Sequence, residues 1–235
     1  MPEIASLALA VETAGSACSV AIAQGDRVIA AERREMRHGH GEALMPMVDA
    51  VAVRAGIAPA SLDFVAVSLG PGGFTGIRVG LAAARGLALA SGARLVGVSS
   101  FAAVAALHPP REGVLLVALD SRRSDLYVEL RDRRGGRLAP PAAILSDELP
   151  RWLAAIIADA PLTIAGDAAA AAAAALPGRA VVALVPDTAP DARGVLAAMR
   201  NGLAEPSEAA VAPLYLRPPD VSFPKHATAG VRPGL

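Results

Sequence analysis

Helix-type and strand-type patterns of apolar positions alternate along the first half of the chain. Apolar residues recur every three or four positions over Glu42–Arg54, which is typical of an amphipathic helix, whereas Phe64–Leu69 is a nearly unbroken apolar run typical of a buried strand. This alternation predicts an α/β fold. The other elements predicted here are strands at Ser6–Val11, Ala17–Ala23, Arg27–Glu35 and Arg94–Val98, and helices at Thr75–Ala90 and Ser99–Leu107.

The first strand-turn-strand pattern returns later in the chain. Leu7–Ile22 and Leu115–Leu130 align without a gap at an offset of 108 residues. Two unrelated hairpins can share such a pattern by chance, and an internal duplication is the alternative. A duplication predicts an N-terminal α/β lobe at 1–108, a C-terminal α/β lobe at 109–218 and a flexible tail at 219–235. Within the second lobe we predict helices near Asp147–Ile157, Ala168–Ala175 and Asp191–Leu203, and a strand at Leu162–Gly166.

Composition narrows the class of protein. The 235 residues are 54% hydrophobic but only 3% aromatic, so the core must be built from small aliphatic side chains. Lys and Arg balance Asp and Glu at 22 each, which leaves no overall field to attract nucleic acid, and the basic cluster Arg131–Arg137 is typical of a solvated hairpin turn. Cys18, the one cysteine, excludes a disulfide framework and is expected to be a small buried residue. Without a basic leader or an apolar run of membrane-spanning length, we expect a cytoplasmic protein.

The segment Leu69–Gly80, "LGPGGFTGIRVG", lies between a predicted strand and a predicted helix, where backbone amides can hold a phosphate. A Walker A loop requires a lysine, and the one lysine of the chain is Lys225. A dinucleotide fold requires an acid about twenty residues later, but Ile77–Arg111 contains none. Phosphate contact and close helix packing both remain open as roles for these glycines.

Acids at the ends of two matching strands form a second candidate. Glu12 and Asp120 are expected either to face each other across a cleft, where they would orient magnesium or water, or to cap their own turns. The string "HGHGE" at His38–Glu42 has the wrong spacing for zinc and predicts the start of a helix. The candidate residues for phosphate or nucleotide binding are Glu12, Thr13, Gly72, Gly73, Thr75 and Asp120.

The segments "ALAVETAGSACSVAI", "HGHGEALMPMVD", "SLGPGGFTGIRVGLAAARG", "ALDSRRSDLYVEL" and "APLYLRP" occur in one order from Leu7 to Pro218. Together they resemble the TsaB (YeaZ) family. The resemblance implies a duplicated two-lobe fold of the actin-like, sugar-kinase-like (ribonuclease H-like) type. It also implies kinship with TsaD, the transferase that attaches threonylcarbamoyl to adenosine 37 of tRNA. The positions that match the two metal-binding histidines of TsaD are Ser100 and Val104, and Glu12 and Ala14 replace the common Asp and Ser of the TsaB pattern.

The resemblance therefore implies a non-catalytic accessory subunit. Its expected partners are a TsaD-like paralogue and a TsaE-like ATPase, with tRNA bound only through the complex and a homodimer when the chain is alone. No cofactor is expected to bind tightly, and ATP or ADP with magnesium stays open at the level of the complex. The alternatives are an ATP-dependent kinase or phosphohydrolase acting alone and, on weaker grounds, a peptidase. The expected partner interface consists of Met47, Val51, Phe74, Arg78, Ala82, Ala83, Gly86 and Ala90.

Overall fold

The protein is built from two five-stranded sheets with the same strand order and strand directions. The computed structural model describes residues 6–204 and 211–217. In the first sheet the order is β3-β2-β1-β4-β5, where β1 pairs antiparallel with β2 and parallel with β4. Its strands are β1 (Leu7–Glu12), β2 (Ala17–Gln24), β3 (Arg27–Glu35), β4 (Phe64–Ser68) and β5 (Arg94–Val98).

The second sheet repeats this plan. Read from its opposite edge, its order is β8-β7-β6-β9-β10, and β6 again pairs antiparallel with β7 and parallel with β9. The predicted duplicated α/β architecture is thus confirmed. The strands are β6 (Val114–Asp120), β7 (Asp125–Arg131), β8 (Ala142–Leu145), β9 (Leu162–Ala165) and β10 (Val181–Val185).

Helices cover the sheets in three layers. Side chains alternate between the two faces of each strand, so each sheet has an apolar surface on both faces for helices to cover. Leu9 and Val11 of β1 face the first two helices, whereas Ala8 and Ala10 face the third and the last. The third helix also packs on the second sheet, whose far side is covered by the fourth and fifth helices. The helices are α1 (His40–Ala55), α2 (Phe74–Ser91), α3 (Ser100–Leu107), α4 (Leu149–Ala154), α5 (Ala169–Ala174) and α6 (Ala192–Arg200), with a 3-10 turn at Pro59–Ser61.

Most predicted elements are confirmed within a few residues of their expected ends. Two edge strands, β8 and β10, were not predicted. The domain bounds 1–108 and 109–218 stay a prediction. Helix α6 comes from the second range but packs against β1 of the first sheet. The predicted flexible tail at 219–235 lies outside the described residues. Within the described part of the chain, no helix is long and apolar enough to cross a membrane.

Candidate functional site

A cleft with a volume of about 560 Å³ opens between the two sheets. The turns that follow β1 and β6 line it, together with the glycine-rich loop after β4 and residues 214–217. Carboxyl ends of parallel strands commonly form ligand sites in open α/β folds, and this volume lies in the usual range for small-molecule sites. The cleft is therefore the candidate site.

The glycines of the loop let α2 approach the turn after β1. A Cβ atom on Gly76 would lie 1.9 Å from the carbonyl oxygen of Thr13, and one on Gly72 would lie 2.3 Å from that of Ala14. Thr13 Oγ1 donates a hydrogen bond of 2.7 Å to the carbonyl oxygen of Gly76. The Gly73 amide donates to the Ala14 carbonyl oxygen at 2.7 Å. Close packing, one of the two predicted roles, thus accounts for these glycines without a ligand.

Glu12 is completely buried and does not line the cleft. Its Oε1 accepts hydrogen bonds from the amides of Ala14, at 2.7 Å, and Gly15, at 3.1 Å. Burial, which disfavours the charged form, raises the pKa of this carboxyl to about 8. Its Oε2 has no hydrogen-bond partner among the described residues. Glu12 therefore caps its own turn, which was one of the two expected roles, and it does not face Asp120 across the cleft.

Asp120 lines the cleft, but it also caps a turn, because its Oδ1 accepts the Arg122 amide at 2.7 Å. Asp167, which follows β9, accepts the Asp120 amide at 2.8 Å, and burial raises its pKa. Of the other phosphate candidates, Gly72 and Gly73 line the cleft, Thr13 is buried beneath α2, and Thr75 is exposed on the first turn of α2. A magnesium nucleotide held jointly by Glu12 and Asp120 does not fit this arrangement.

Arginines give the cleft its positive charge. Arg122, at φ 60°, extends from the second lobe and donates to the Gly15 carbonyl oxygen of the first lobe at 3.0 Å. The Arg78 guanidinium lies 3.5 Å from the centre of the Phe74 ring. Sequence reasoning missed Arg122 and Asp167. Two signals could have found them. The offset of 108 residues matches Arg122 to Ala14, and Asp167 is an acid directly after a predicted buried strand.

Residues 211–217, which we call the clasp, bridge the lobes without regular secondary structure. The Leu214 amide donates to the Leu69 carbonyl oxygen at 2.7 Å, and the Tyr215 hydroxyl accepts a 3.2 Å hydrogen bond from Arg78 Nε. At its far end Arg217 forms an ion pair with Asp125, a buried residue at the start of β7. The clasp therefore joins α2 of the first lobe to the second sheet.

Comparison with known proteins decides the family. A family model described as "TsaD: tRNA N6-adenosine threonylcarbamoyltransferase" matches residues 34–173, more than half of the chain. The "tRNA threonylcarbamoyladenosine biosynthesis protein TsaB" of Escherichia coli is 33% identical over 121 residues, 51% of this chain and 52% of that protein. YeaZ from Pseudomonas aeruginosa superposes with a TM-score of 0.74 at 27% identity, over 90% of this chain and 100% of that one. The chain belongs to the TsaB (YeaZ) family.

Three further comparisons extend the evidence on family and fold. An uncharacterized protein of Mycobacterium tuberculosis is 35% identical over 217 residues, which is 92% of this chain and 93% of that protein. The match to TsaB of Bacillus subtilis covers 63% of that relative's length, so the chain spans about half to three-fifths of these two TsaB relatives. A polyphosphate/ATP-glucomannokinase from Arthrobacter superposes on this chain with a TM-score of 0.50 at 12% identity, a likeness that concerns the fold alone. The actin-like, sugar-kinase-like fold is thereby confirmed.

The structure separates the partner-interface residues expected of a TsaB-family protein into two groups. Met47 and Val51 are completely buried between α1 and the first sheet, so they are core residues and their assignment to an interface is wrong. The others lie on α2, where Ala83 is half-buried and the rest are exposed: Phe74, Arg78, Ala82, Gly86 and Ala90. Sequence reasoning missed Val53 and Leu89, which are 81% and 87% exposed. Leu89 follows Ala82 by seven residues, a spacing that places both on one helix face.

The structure also shows where the remaining sequence motifs lie. Helix α1 begins at His40, within "HGHGE", which confirms the predicted helix start. Cys18 is buried, and burial raises the pKa of its thiol to about 11. Ser100, also buried, lies 3.1 Å from Ser68, hydroxyl to hydroxyl, and Val104 is part of the core between the lobes. No group of three or more His, Cys, Asp or Glu side chains that could hold a metal is present within residues 6–204 and 211–217.

Proposed function

We propose that this protein is a non-catalytic subunit in the threonylcarbamoyladenosine modification of tRNA position 37. In this proposal it binds a TsaD-like transferase and acts with a TsaE-like ATPase. Family membership and the similarity to the TsaB proteins of Escherichia coli and Bacillus subtilis support this pathway. The buried Ser100 and Val104 support the non-catalytic role, because neither offers a nitrogen, carboxylate or thiolate ligand to a metal.

The exposed apolar surface of α1 and α2 is the observation that carries the proposal. Both helices pack on the same face of the first sheet and contact each other. Val53 and Leu89 are almost fully exposed on this surface, and Ala82, Gly86 and Ala90 lie between longer side chains of α2. Small residues allow a partner helix to approach closely, and exposed large apolar residues mark surfaces of association. We call this surface the α1–α2 face.

The clasp defines where the α1–α2 face ends. Tyr215 lies 5.2 Å from Phe74, centroid to centroid, and accepts the hydrogen bond from Arg78. The Val211 carbonyl oxygen accepts a 2.8 Å hydrogen bond from Arg85 Nη2. The α2 side chains of Phe74, Arg78 and Arg85 are therefore already engaged within the chain. The proposed partner contacts are centred on the exposed residues Ala82, Gly86, Leu89 and Ala90, and this same face would form the homodimer of the isolated chain.

Reconstitution of tRNA modification with purified TsaD-like and TsaE-like partners tests the proposal. Leu89→Glu should weaken partner binding by about 30-fold or more, because it places a charge in an apolar contact, and it should lower modification in parallel. Its stability should stay within about 0.5 kcal/mol of the parent chain, since Leu89 is exposed. Val182→Glu, an equally drastic change on exposed β10 of the other lobe, is the matched control and should leave binding intact.

Two results would contradict the proposal. If the partners reach full modification without this protein, the accessory role is wrong. If Val182→Glu abolishes binding and Leu89→Glu does not, the surface is wrong. A nucleotide titration of the isolated chain tests the alternative of an independent kinase or phosphohydrolase, which requires magnesium-dependent ATP turnover that is lost in Asp120→Asn. The same titration tests the proposal that no nucleotide binds tightly outside the complex.

A further inference from the structure

The turn that follows β7 borders a second cavity, with a volume of about 150 Å³, which shares no lining residue with the cleft. We call residues Arg131–Arg137 the basic hairpin; the backbone of Arg131 pairs with that of Arg137 across it. The opposite wall is formed by the C-terminal end of α3, at Ala105 and Ala106, and by Asn201 and Leu203, which follow α6. The sequence predicted a solvated turn here, but one of its arginines is almost entirely buried.

A buried cluster of ions lies at the base of the hairpin. Glu129 is completely buried, and its Oε1 accepts a hydrogen bond of 2.5 Å from Arg131 Nε. Its Oε2 accepts one of 2.8 Å from Arg137 Nε. Both carboxylate oxygens are thus occupied by different guanidinium groups. Arg131 and Glu129 thus form a buried ion pair, and Arg137 reaches the same carboxylate from the exposed side.

Arg131 has one nitrogen that the protein leaves without a partner. Its side chain is 3% exposed, and its Nη1 donates to the Gly135 carbonyl oxygen at 2.7 Å. Nη2 is buried and has no hydrogen-bond partner among the described residues. Arg131 and Gly135 both line the cavity. A buried charged donor without an acceptor is costly, so an acceptor in the cavity would be strongly favoured.

We propose that this cavity binds one phosphate-type oxyanion, with Arg131 at its base and Arg133 and Arg134 at its exposed rim. Over residues 129–137 the sequence has four arginines against Glu129 and Asp132, a net charge of four minus two, or +2. The Oδ1 of Asp132 already accepts the Arg134 amide at 2.8 Å and the Gly136 amide at 2.9 Å. A guanidinium matches phosphate oxygens in geometry and charge.

The size of the cavity limits the ligand to a single anionic group. Its volume equals that of about five liquid waters at ~30 Å³ each, enough for one phosphate but too small for a nucleoside as well. The phosphate can be free inorganic phosphate or one phosphodiester of an RNA strand that passes over the exposed rim. The RNA source rests on the proposed function in tRNA modification, whereas the phosphate site itself does not.

Calorimetric titration of the full chain with inorganic phosphate at low salt tests the site. Phosphate should bind, and Arg133→Gln and Arg134→Gln, whose parent residues are exposed and which should fold normally, should each weaken binding by about tenfold. Arg131→Gln should abolish binding; if that variant fails to fold, the two rim variants still decide the result. Arg151→Gln removes the same charge from exposed α4, on the far side of the second sheet, and should bind phosphate as the parent chain does.

A second titration, with an unmodified tRNA transcript, distinguishes the sources. A greater loss of tRNA affinity in Arg134→Gln than in Arg151→Gln assigns the site to an RNA phosphodiester, and equal affinities together with phosphate binding assign it to free phosphate. No phosphate-dependent heat, or equal binding by all four variants, overturns the site and leaves water as the partner of Arg131. Phosphate binding that survives a failed reconstitution of tRNA modification separates this inference from the proposed function.

Discussion

At the residue scale, Glu12 is a buried carboxyl whose hydrogen bonding is incomplete. The carboxyl is fully buried, one oxygen accepts two backbone amides, and the other has no partner among the described residues. Because burial raises its pKa from 4.5 to about 8, folding takes up a proton between these two pH values. The stability contributed by this group is therefore fully present below pH 4.5 and is lost as the pH rises through 8.

Replacing the acid by its neutral isostere should remove this pH dependence. We expect Glu12→Gln and the parent chain to have similar free energies of unfolding near pH 4.5, where both side chains are neutral in the folded state. Above pH 8 the variant should be more stable by about 3 kcal/mol, within the roughly 5 kcal/mol that the full pKa change allows. Urea unfolding across this range measures the difference.

Glu42→Gln serves as the control for Glu12→Gln. Glu42 is exposed in the first turn of α1, so this change makes the same chemical replacement without relieving any burial. Its unfolding free energy should follow that of the parent chain at every pH. Parallel curves for Glu12→Gln and the parent chain would show instead that the buried carboxyl is charged at neutral pH.

At the element scale, two glycines of α2 are expected to respond oppositely to alanine. A Cβ on Gly76 would meet the Thr13 carbonyl oxygen at 1.9 Å, so Gly76→Ala should force α2 away from β1 and destabilise the fold by about 3 kcal/mol. A Cβ on Gly86 would meet nothing within 4 Å, so Gly86→Ala should stabilise the helix by about 0.5–1 kcal/mol. Urea unfolding of both variants measures these changes.

Partner binding adds a second measurement for the same pair. Gly86 lies on the α1–α2 face, so Gly86→Ala should lower affinity for the TsaD-like partner although the variant is more stable. A destabilised Gly86→Ala would mean that another part of the chain covers this side of α2. A Gly76→Ala variant as stable as the parent chain would mean that the contact between α2 and the β1 turn is easily deformed.

The elements themselves could be predicted because their information is local. Buried strands such as Phe64–Ser68 are short apolar runs, and amphipathic helices such as α1 have apolar residues every three or four positions. Both patterns can be recognised within a short stretch of sequence. Apolar spacing cannot tell a side chain that faces the core from one that faces a partner, so it could not correct the resemblance-based assignment of Met47 and Val51 to the interface. The edge strand β10 was missed although Val181–Val185 is an apolar run; in the structure its residues are half-buried or exposed at the edge of the second sheet.

At the scale of the whole molecule, the contacts that define the cleft join residues far apart in sequence. Arg78 meets Tyr215, and Arg217 meets Asp125, so no local pattern could predict either pair. The duplication could be predicted from the repeated hairpins, and it accounts for two turns that meet at one cleft. The clasp belongs to neither copy of the repeat. Its contacts therefore had to come from the structure.

The clasp should hold the two lobes together through its ion pair. Asp125 is buried, and its Oδ1 and backbone carbonyl both accept hydrogen bonds from the Ser121 hydroxyl, so loss of Arg217 leaves Oδ2 charged, buried and unpaired. Arg217→Gln should destabilise the chain by about 2–3 kcal/mol and speed hydrogen exchange at the Leu214 amide, which is bonded to Leu69. Asp125→Asn should cost less when combined with Arg217→Gln than when made alone, since the double variant buries no unpaired charge. Strict additivity of the two changes, or an unaltered Leu214 exchange rate, would show that the clasp is held by its backbone and aromatic contacts instead.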